Sequence, residues 1–297
     1  MMASRKLRLA HNAPGEFFVD STCIDCDACR QIAPAIFRER NEQSIVYHQP
    51  ETDAERLRAQ MALVACPTGS IGAERKQDLG QAIRAYPDRI AENVYFCGFT
   101  SESSFGAWSY LIQRPEGNVM VDSPRFARQL VKRIEEMGGV SLMFLTHRDD
   151  VADHRHWAEH FGCKRVIHCD DVTSGTRSVE TRIQGAEAVR LGEDGKASDL
   201  VAIPTPGHTR GHMVLLYRDK FLFTGDHLAW SEERRTLYAF RNHCWYSWQE
   251  QIRSMERLLE YRFEWVLPGH GRMHHAGAQQ MWQELLQCVQ WMKKLSR

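Results

Sequence analysis

No stretch of this 297-residue chain is apolar over the length of a membrane span. The basic opening from Met1 to Leu9 also lacks the apolar core of a signal peptide. Nor is charge of either sign in excess, since 38 Lys and Arg meet 38 Asp and Glu. A broad phosphate-binding surface needs a basic surplus, so the balance argues against nucleic acid and against a membrane as partners. Internal repeats and low-complexity tracts are missing too, and 43% hydrophobic residues fit an ordinary globular protein with a full core. The expectation is a cytoplasmic protein. Paired cysteines are also lacking: the count is nine, an odd number, which suits reduced thiols better than a disulfide framework.

What the cysteines do form is a pattern. Cys23, Cys26 and Cys29 stand with two residues between successive members, and Cys66-Pro67 follows much later. A tight loop with this spacing wraps three thiolates around one face of a cube, and a distant Cys-Pro supplies the fourth corner. A structural zinc site is the competing reading, although two cysteine pairs are its commoner layout. Cys97, Cys163, Cys169, Cys244 and Cys288 are scattered, as small buried hydrophobes are. With Gln31 to Phe37 after the triplet and Cys66-Pro67-Thr68-Gly69-Ser70-Ile71 at the end, the first sixty or so residues resemble the single-cluster bacterial ferredoxins. The resemblance implies a [4Fe-4S] cluster on Cys23, Cys26, Cys29 and Cys66, serving electron transfer or redox control.

The chain then changes character. Residues 15–73 form the expected ferredoxin-like domain, 74–89 a charged linker or surface helix containing Pro87, and 90–297 a larger domain. In the last region apolar runs alternate with helical periodicity. Strands are expected at 107–113, 119–122, 142–146, 166–168, 214–217, 221–224 and 265–268, and helices at 126–137, 153–161, 247–261 and 277–295.

Several of these runs end in the same way. His147 follows Leu142 to Thr146, His208 stands in Thr205-Pro206-Gly207-His208-Thr209, Asp226 follows Phe223-Thr224-Gly225, and His270 follows Leu267-Pro268-Gly269. A lone His at a strand end is usually a hydrogen-bonded core or surface residue. Successive candidate ligands in this context point to side chains converging on one rim, several with glycines that let the backbone turn tightly.

The order of these motifs, with Asp122 and Asp153-His154, resembles the metallo-β-lactamase superfamily over roughly residues 90–285. The resemblance implies an αββα sandwich, preceded here by the small α+β ferredoxin-like domain. It also implies two metals, one on His147, Asp149 and His208, the other on Asp153, His154 and His270, with Asp226 bridging. Asp153 and Asp226 would serve catalysis as well as ligation, and Asp122 would orient a ligand imidazole.

One departure stands out. The family's usual His-x-His-x-Asp-His reads here His147-Arg148-Asp149-Asp150-Val151-Ala152-Asp153-His154, with two residues inserted and the second His missing. Asp149 takes that place by position, similar to the carboxylate of the flavodiiron branch, while Asp150 reads as a helix N-cap. His168, His212, His227, His243, His274 and His275 are weaker candidates. The aromatics Trp230, Tyr238, Phe240, Trp245, Tyr246 and Trp248 read as packing more than as a substrate wall, and Arg210, Arg234 and Arg241 could meet an anionic substrate.

The expected function is a metal-dependent hydrolase of a small molecule, using a metal-bound hydroxide on one or two divalent ions (Zn, Fe or Mn). The alternative is an iron-dependent oxidoreductase, handling oxygen or persulfide and fed by the cluster, with a redox protein as partner. Extra carboxylate favours the harder metals.

Overall fold

The computed structural model describes residues 3–192 and 199–295. Two compact units divide them. One runs to Ser141 and includes Ala152–Gly162; the other is Leu142–Val151 together with the chain from Cys163 onward. Among the described residues no helix is long and apolar enough to cross a membrane.

The first unit opens with the cysteine-bearing segment. Strand Phe17–Val19 pairs antiparallel with Ile71–Ala73, and Phe37–Glu39 pairs with Ser44–Val46 as a hairpin. Buried Asn12 joins the two pairs, because its Oδ1 accepts from Val19 N and Val46 N while its amide donates to Leu9 O and Val19 O. Helix Asp53–Ala65 begins on a capping box in which Thr52 and Glu55 satisfy each other's backbone N–H groups. It ends where Cys66-Pro67 cannot continue it.

The rest of this unit is an antiparallel meander of Asp88–Ala91, Val94–Phe96, Tyr110–Ile112 and Val119–Val121, with helices Arg128–Glu136 and His154–Phe161. Residues 74–89 include the short helix Gly80–Arg84 and the fully buried Tyr86, whose hydroxyl donates to Met61 O at 3.0 Å. Thr100 Oγ1 likewise donates to Ala65 O at 2.8 Å. The cysteine-bearing segment and the meander therefore share buried polar contacts.

In the second unit Leu142–Phe144, Lys164–His168 and Thr181–Ile183 run parallel. A second sheet has the order Val189–Arg190, Leu200–Pro204, Met213–Tyr217, Phe221–Gly225, Trp265–Pro268, His274–His275. Phe221–Gly225 and Trp265–Pro268 are parallel neighbours, which the intervening helix Trp248–Leu258 makes possible. The central strands are buried along their whole length, so they read as continuous apolar runs instead of alternating ones. Val214, Leu216, Leu222 and Val266 meet Ile252, Met255 and Leu258 of that helix, and Met281, Leu285 and Met292 of Ala278–Lys294. Removing one such side chain to Ala costs about 2–5 kcal/mol. That rigidity holds the strand ends that carry the site.

Candidate metal centres

The four clustered cysteines are free thiols lining one pocket with Val19, Ile24, Ser44, Pro67, Thr68 and Ile71. Ser44 N–H points at Cys23 Sγ at 3.4 Å, and Thr68 Oγ1 lies 3.7 Å from Cys66 Sγ. Burial first, with the neighbouring Cys66 and Cys23 adding to it, raises the Cys26 thiol to about 12; Cys29 is pushed well above its ordinary value in the same way. Four thiols that repel one another's charge in an apolar pocket need a strongly positive guest before they ionise, and an iron-sulfur cluster supplies that charge. The donor set fits it. Gly106, at φ +79°, closes over the pocket so tightly that a Cβ there would lie 2.8 Å from Cys26 Sγ.

The second centre is built in the second unit. Strand Leu142–Phe144 leads to Thr146 and His147, which is fully buried, and Thr146 Oγ1 lies 3.0 Å from His147 Nδ1. With Nδ1 carrying its proton toward that oxygen, Nε2 keeps its lone pair for a metal. Among the described residues, His147 Nε2 has no hydrogen-bond partner. One oxygen of Asp226, Oδ2, stands 3.8 Å from His147 Nε2, 3.6 Å from His208 Nε2 and 3.9 Å from His270 Nε2. Asp149 Oδ2 is 3.9 Å from His147 Nε2 and 3.5 Å from His208 Nε2.

These separations are long for hydrogen bonds. They match atoms that share a cation through bonds of about 2 Å each. His147, Asp149 and His208 bring their ligand atoms within 4.8 Å of one another, and so do His147, Asp150 and Asp226. Asp150 Oδ1 also lies 3.9 Å from His270 Nε2. Gly269 sits against both carboxylates, since a Cβ on it would meet Asp150 Oδ2 at 2.7 Å and Asp226 Oδ1 at 2.9 Å. The arrangement is one His and Asp cluster in which two groups of candidate ligands overlap at His147, one with Asp149 and His208 and the other with Asp150 and Asp226, with His270 beside the second.

Electrostatics agree with this reading. Burial, slightly offset by Asp226, holds His147 down at about 4, so it is neutral and ready to ligate at neutral pH. Burial works to raise the Asp226 carboxyl, but His270, His147 and His208 outweigh it and keep the group below its ordinary value. The His208 imidazole does the same for Asp149.

The inserted motif folds differently from the sequence expectation at one point. The helix begins at His154 with Asp153 in the cap position, so Asp150 is not its N-cap. Asp150 is instead 2% exposed and beside His270. Asp153 and His154 belong to the first unit. Asp153 Oδ2 accepts the Phe126 N–H at 2.7 Å, its Oδ1 lies 3.8 Å from His156 Nδ1, and His154 is buried. Asp122 is buried in the same unit at φ +55°.

Asp171 is a buried residue bound to the ligand loops that the sequence did not announce. It is 1% exposed, and its carboxylate accepts from Arg148 N at 3.0 Å, Thr209 Oγ1 at 2.6 Å and Gly211 N at 2.8 Å. It thereby ties the loop after His147 to the loop around His208. No spacing rule picks it out of Cys169-Asp170-Asp171; only its burial does. His212 and His227 are fully buried behind His147, with ring centroids 5.3 Å (His147 to His212) and 5.2 Å (His212 to His227) apart.

Of the remaining candidates, His168 Nε2 meets Gly185 O, His274 stacks on Trp230, and His275 stacks on Trp265. Trp230 and Trp248 pack on the core, as expected, while Arg234 and Arg241 lie over Trp291 and Trp248. Arg210 pairs with Asp170. Trp245 and Tyr246 are exposed instead, and the Trp245 ring stands 6.1 Å from that of His208.

A family model described as the metallo-beta-lactamase superfamily matches residues 104–289. The chain belongs to that superfamily. A second model, the 4Fe-4S single cluster domain of ferredoxin I, matches residues 19–73, so the superfamily domain follows an N-terminal single-cluster ferredoxin domain. Among solved structures, VMB-1 is 16% identical, with a TM-score of 0.53 over 71% of this chain and 97% of that one. A metallo-β-lactamase from Cronobacter sakazakii is 17% identical over 63% and 81% of the two chains, with a TM-score of 0.44. An archaeal metallo-β-lactamase superfamily protein from Sulfolobus tokodaii is 18% identical over 67% and 86%, with a TM-score of 0.43. No curated protein matches the chain. The fold is the α/β sandwich of two mixed sheets typical of the superfamily, preceded by the small ferredoxin-like domain.

Proposed function

We propose that the chain is a binuclear metal-dependent hydrolase with a redox-active [4Fe-4S] domain. The observation that carries this reading is the single Asp226 oxygen within 3.9 Å of three imidazole nitrogens, flanked by Asp149 and Asp150. Divalent ions held there would supply Lewis acidity, lowering the pKa of bound water and polarising the bond to be cleaved. The chain's own part is to fix the donors. His147 presents Nε2 while Thr146 holds Nδ1, Asp171 locks the two ligand loops together, and Asp226 offers one oxygen beside all three imidazoles.

Asp149 is the carboxylate on the accessible side, with 46% of its side chain exposed. Ionised at neutral pH, it is placed to accept a proton from the attacking water. Cys244 Sγ, in the segment that approaches His208, donates to Gly207 O at 3.2 Å. Trp245 gives the rim an apolar wall for a small-molecule substrate. The reading brings with it a redox protein as the cluster's partner and a cytoplasmic setting that keeps its thiols reduced.

The donor set favours a second reading. Three carboxylates beside three imidazoles form an oxygen-rich site that suits iron or manganese better than zinc. With iron there, oxygen or persulfide chemistry fed by the cluster is the reaction class. Reconstituting the protein separately with Zn, Mn and Fe, then assaying ester, thioester and phosphodiester cleavage beside oxygen consumption, distinguishes the two. Turnover of a hydrolysable bond with Zn or Mn supports the hydrolase; activity confined to the iron form with oxygen consumed overturns it.

A further inference from the structure

Arg125 links the helix that delivers Cys66 to the segment that holds Asp153, all within the first unit. Its Nη2 donates at 3.2 Å to the carbonyl of Val64, in the last turn of the helix that ends at Cys66. Its backbone N–H donates to Phe99 O at 2.9 Å, and its guanidinium lies 6.0 Å from the Phe99 ring centroid. The next residue, Phe126, gives its N–H to Asp153 Oδ2. Among the described residues, Arg125 Nε is buried with no hydrogen-bond partner.

A half-buried guanidinium with an unspent donor is costly, and a fold keeps one where its charge is used. Burial pulls the Arg125 pKa down, and two negative neighbours, Cys66 and Asp153, hold it up against that pull. The geometry agrees: the guanidinium is hydrogen-bonded two residues before Cys66, and the neighbouring Phe126 N–H holds Asp153.

We propose that Arg125 sets the reduction potential of the cluster and links it electrostatically to Asp153. One electron from a low-potential reductant enters the cluster, with no bond made or broken, and makes it more negative by one charge. A fixed cation beside Cys66 favours that reduced form, because cluster potentials follow net charge and local environment. Asp153 partly neutralises the same cation, so a change of charge at Asp153 shifts the cluster, and the reverse.

The test is a dithionite titration of the full chain carrying its cluster, followed by electron paramagnetic resonance, for wild type, Arg125→Gln, Arg125→Lys and Asp153→Asn. Arg125→Gln should make reduction at least tenfold less favourable, a fall of about 59 mV for a one-electron couple. Arg125→Lys, which keeps the charge but not the fork, should recover most of the shift. Equal shifts in Gln and Lys, or none in Gln, would overturn the proposal, because lost packing alone moves both alike. If Arg125→Gln holds no cluster, Asp153→Asn decides: its potential must rise, and an unchanged or lower value overturns the link.

Discussion

The two centres of this chain differ in how their donors are brought together. The cluster pocket takes three of its four sulfurs from one tight loop, Cys23 to Cys29, and needs only the end of one helix to deliver Cys66. The His and Asp centre takes donors from loops after separate strands, spread from His147 to His270, and nothing local holds them together. A local loop can be recognised from spacing alone and fails one ligand at a time. A rim assembled by a sheet can exchange a donor without changing its outline, and it depends on residues such as Asp171 that touch no metal.

The sharpest break in that comparison is Asp226→Ala. Because Asp226 lies beside all three imidazoles, the variant should lose both ions of the second centre, with metal content falling by tenfold or more while the cluster absorbance stays. Elemental analysis beside the visible spectrum reads both, and retention of either ion would show that the carboxylate is not shared.

Asp149→Ala and Asp150→Ala come next in size. Each should remove about one ion, from the His208 side and the His270 side respectively, without changing helix content. If Asp150→Ala kept its metal and lost only stability, by about 0.5–2 kcal/mol, the N-cap expectation would return.

The sequence carried the fold and most of this centre. His147, His208, Asp226 and His270 were legible because each follows an apolar run in a short motif, three of them with a glycine beside the candidate ligand, and the structure brings all four together. Asp150 was misread because Asp-x-x-Asp before a helical run is a common helix start, whereas here the helix starts at His154 and Asp150 is buried. The Ala229–Ser231 with Thr236–Tyr238 hairpin and the short edge strand Val189–Arg190 were invisible for another reason. The hairpin strands are three residues each, too short to show a period, and both residues of the edge strand are exposed.

Asp171 sharpens the comparison from the supporting side. Asp171→Asn leaves one face of the group unable to accept, so it should cost about 1–3 kcal/mol of stability and weaken the second centre's metal affinity about 10- to 100-fold. Competition with a chelator, run beside urea unfolding, separates the two effects. Unchanged affinity with lowered stability would make Asp171 a structural residue only.

A further expected effect is on pH. His147, His212 and His227 all have pKa values pushed below the ordinary 6.5 by burial, to about 4 for His147 and about 3 for His227. The unfolded chain therefore takes up protons first as pH falls, so stability is full above about 6.5 and is lost on the way down toward those values. Metal-free protein should lose about 2 kcal/mol per buried imidazole between pH 7 and pH 5. Equal stability at the two pH values would mean that these rings are hydrated or paired.

The central claim is that one chain holds two chemically separate centres, sulfur-bound and His/Asp-bound. The most direct measurement is iron, acid-labile sulfide, zinc and manganese in anaerobically purified protein, compared with Cys29→Ser. The account predicts iron and sulfide in near-equal amounts, about four of each for a cubane cluster, with up to two further ions per chain. In Cys29→Ser the sulfide and its matching iron should fall away while the further ions stay. Sulfide-free protein, or loss of every metal with Cys29, would contradict it.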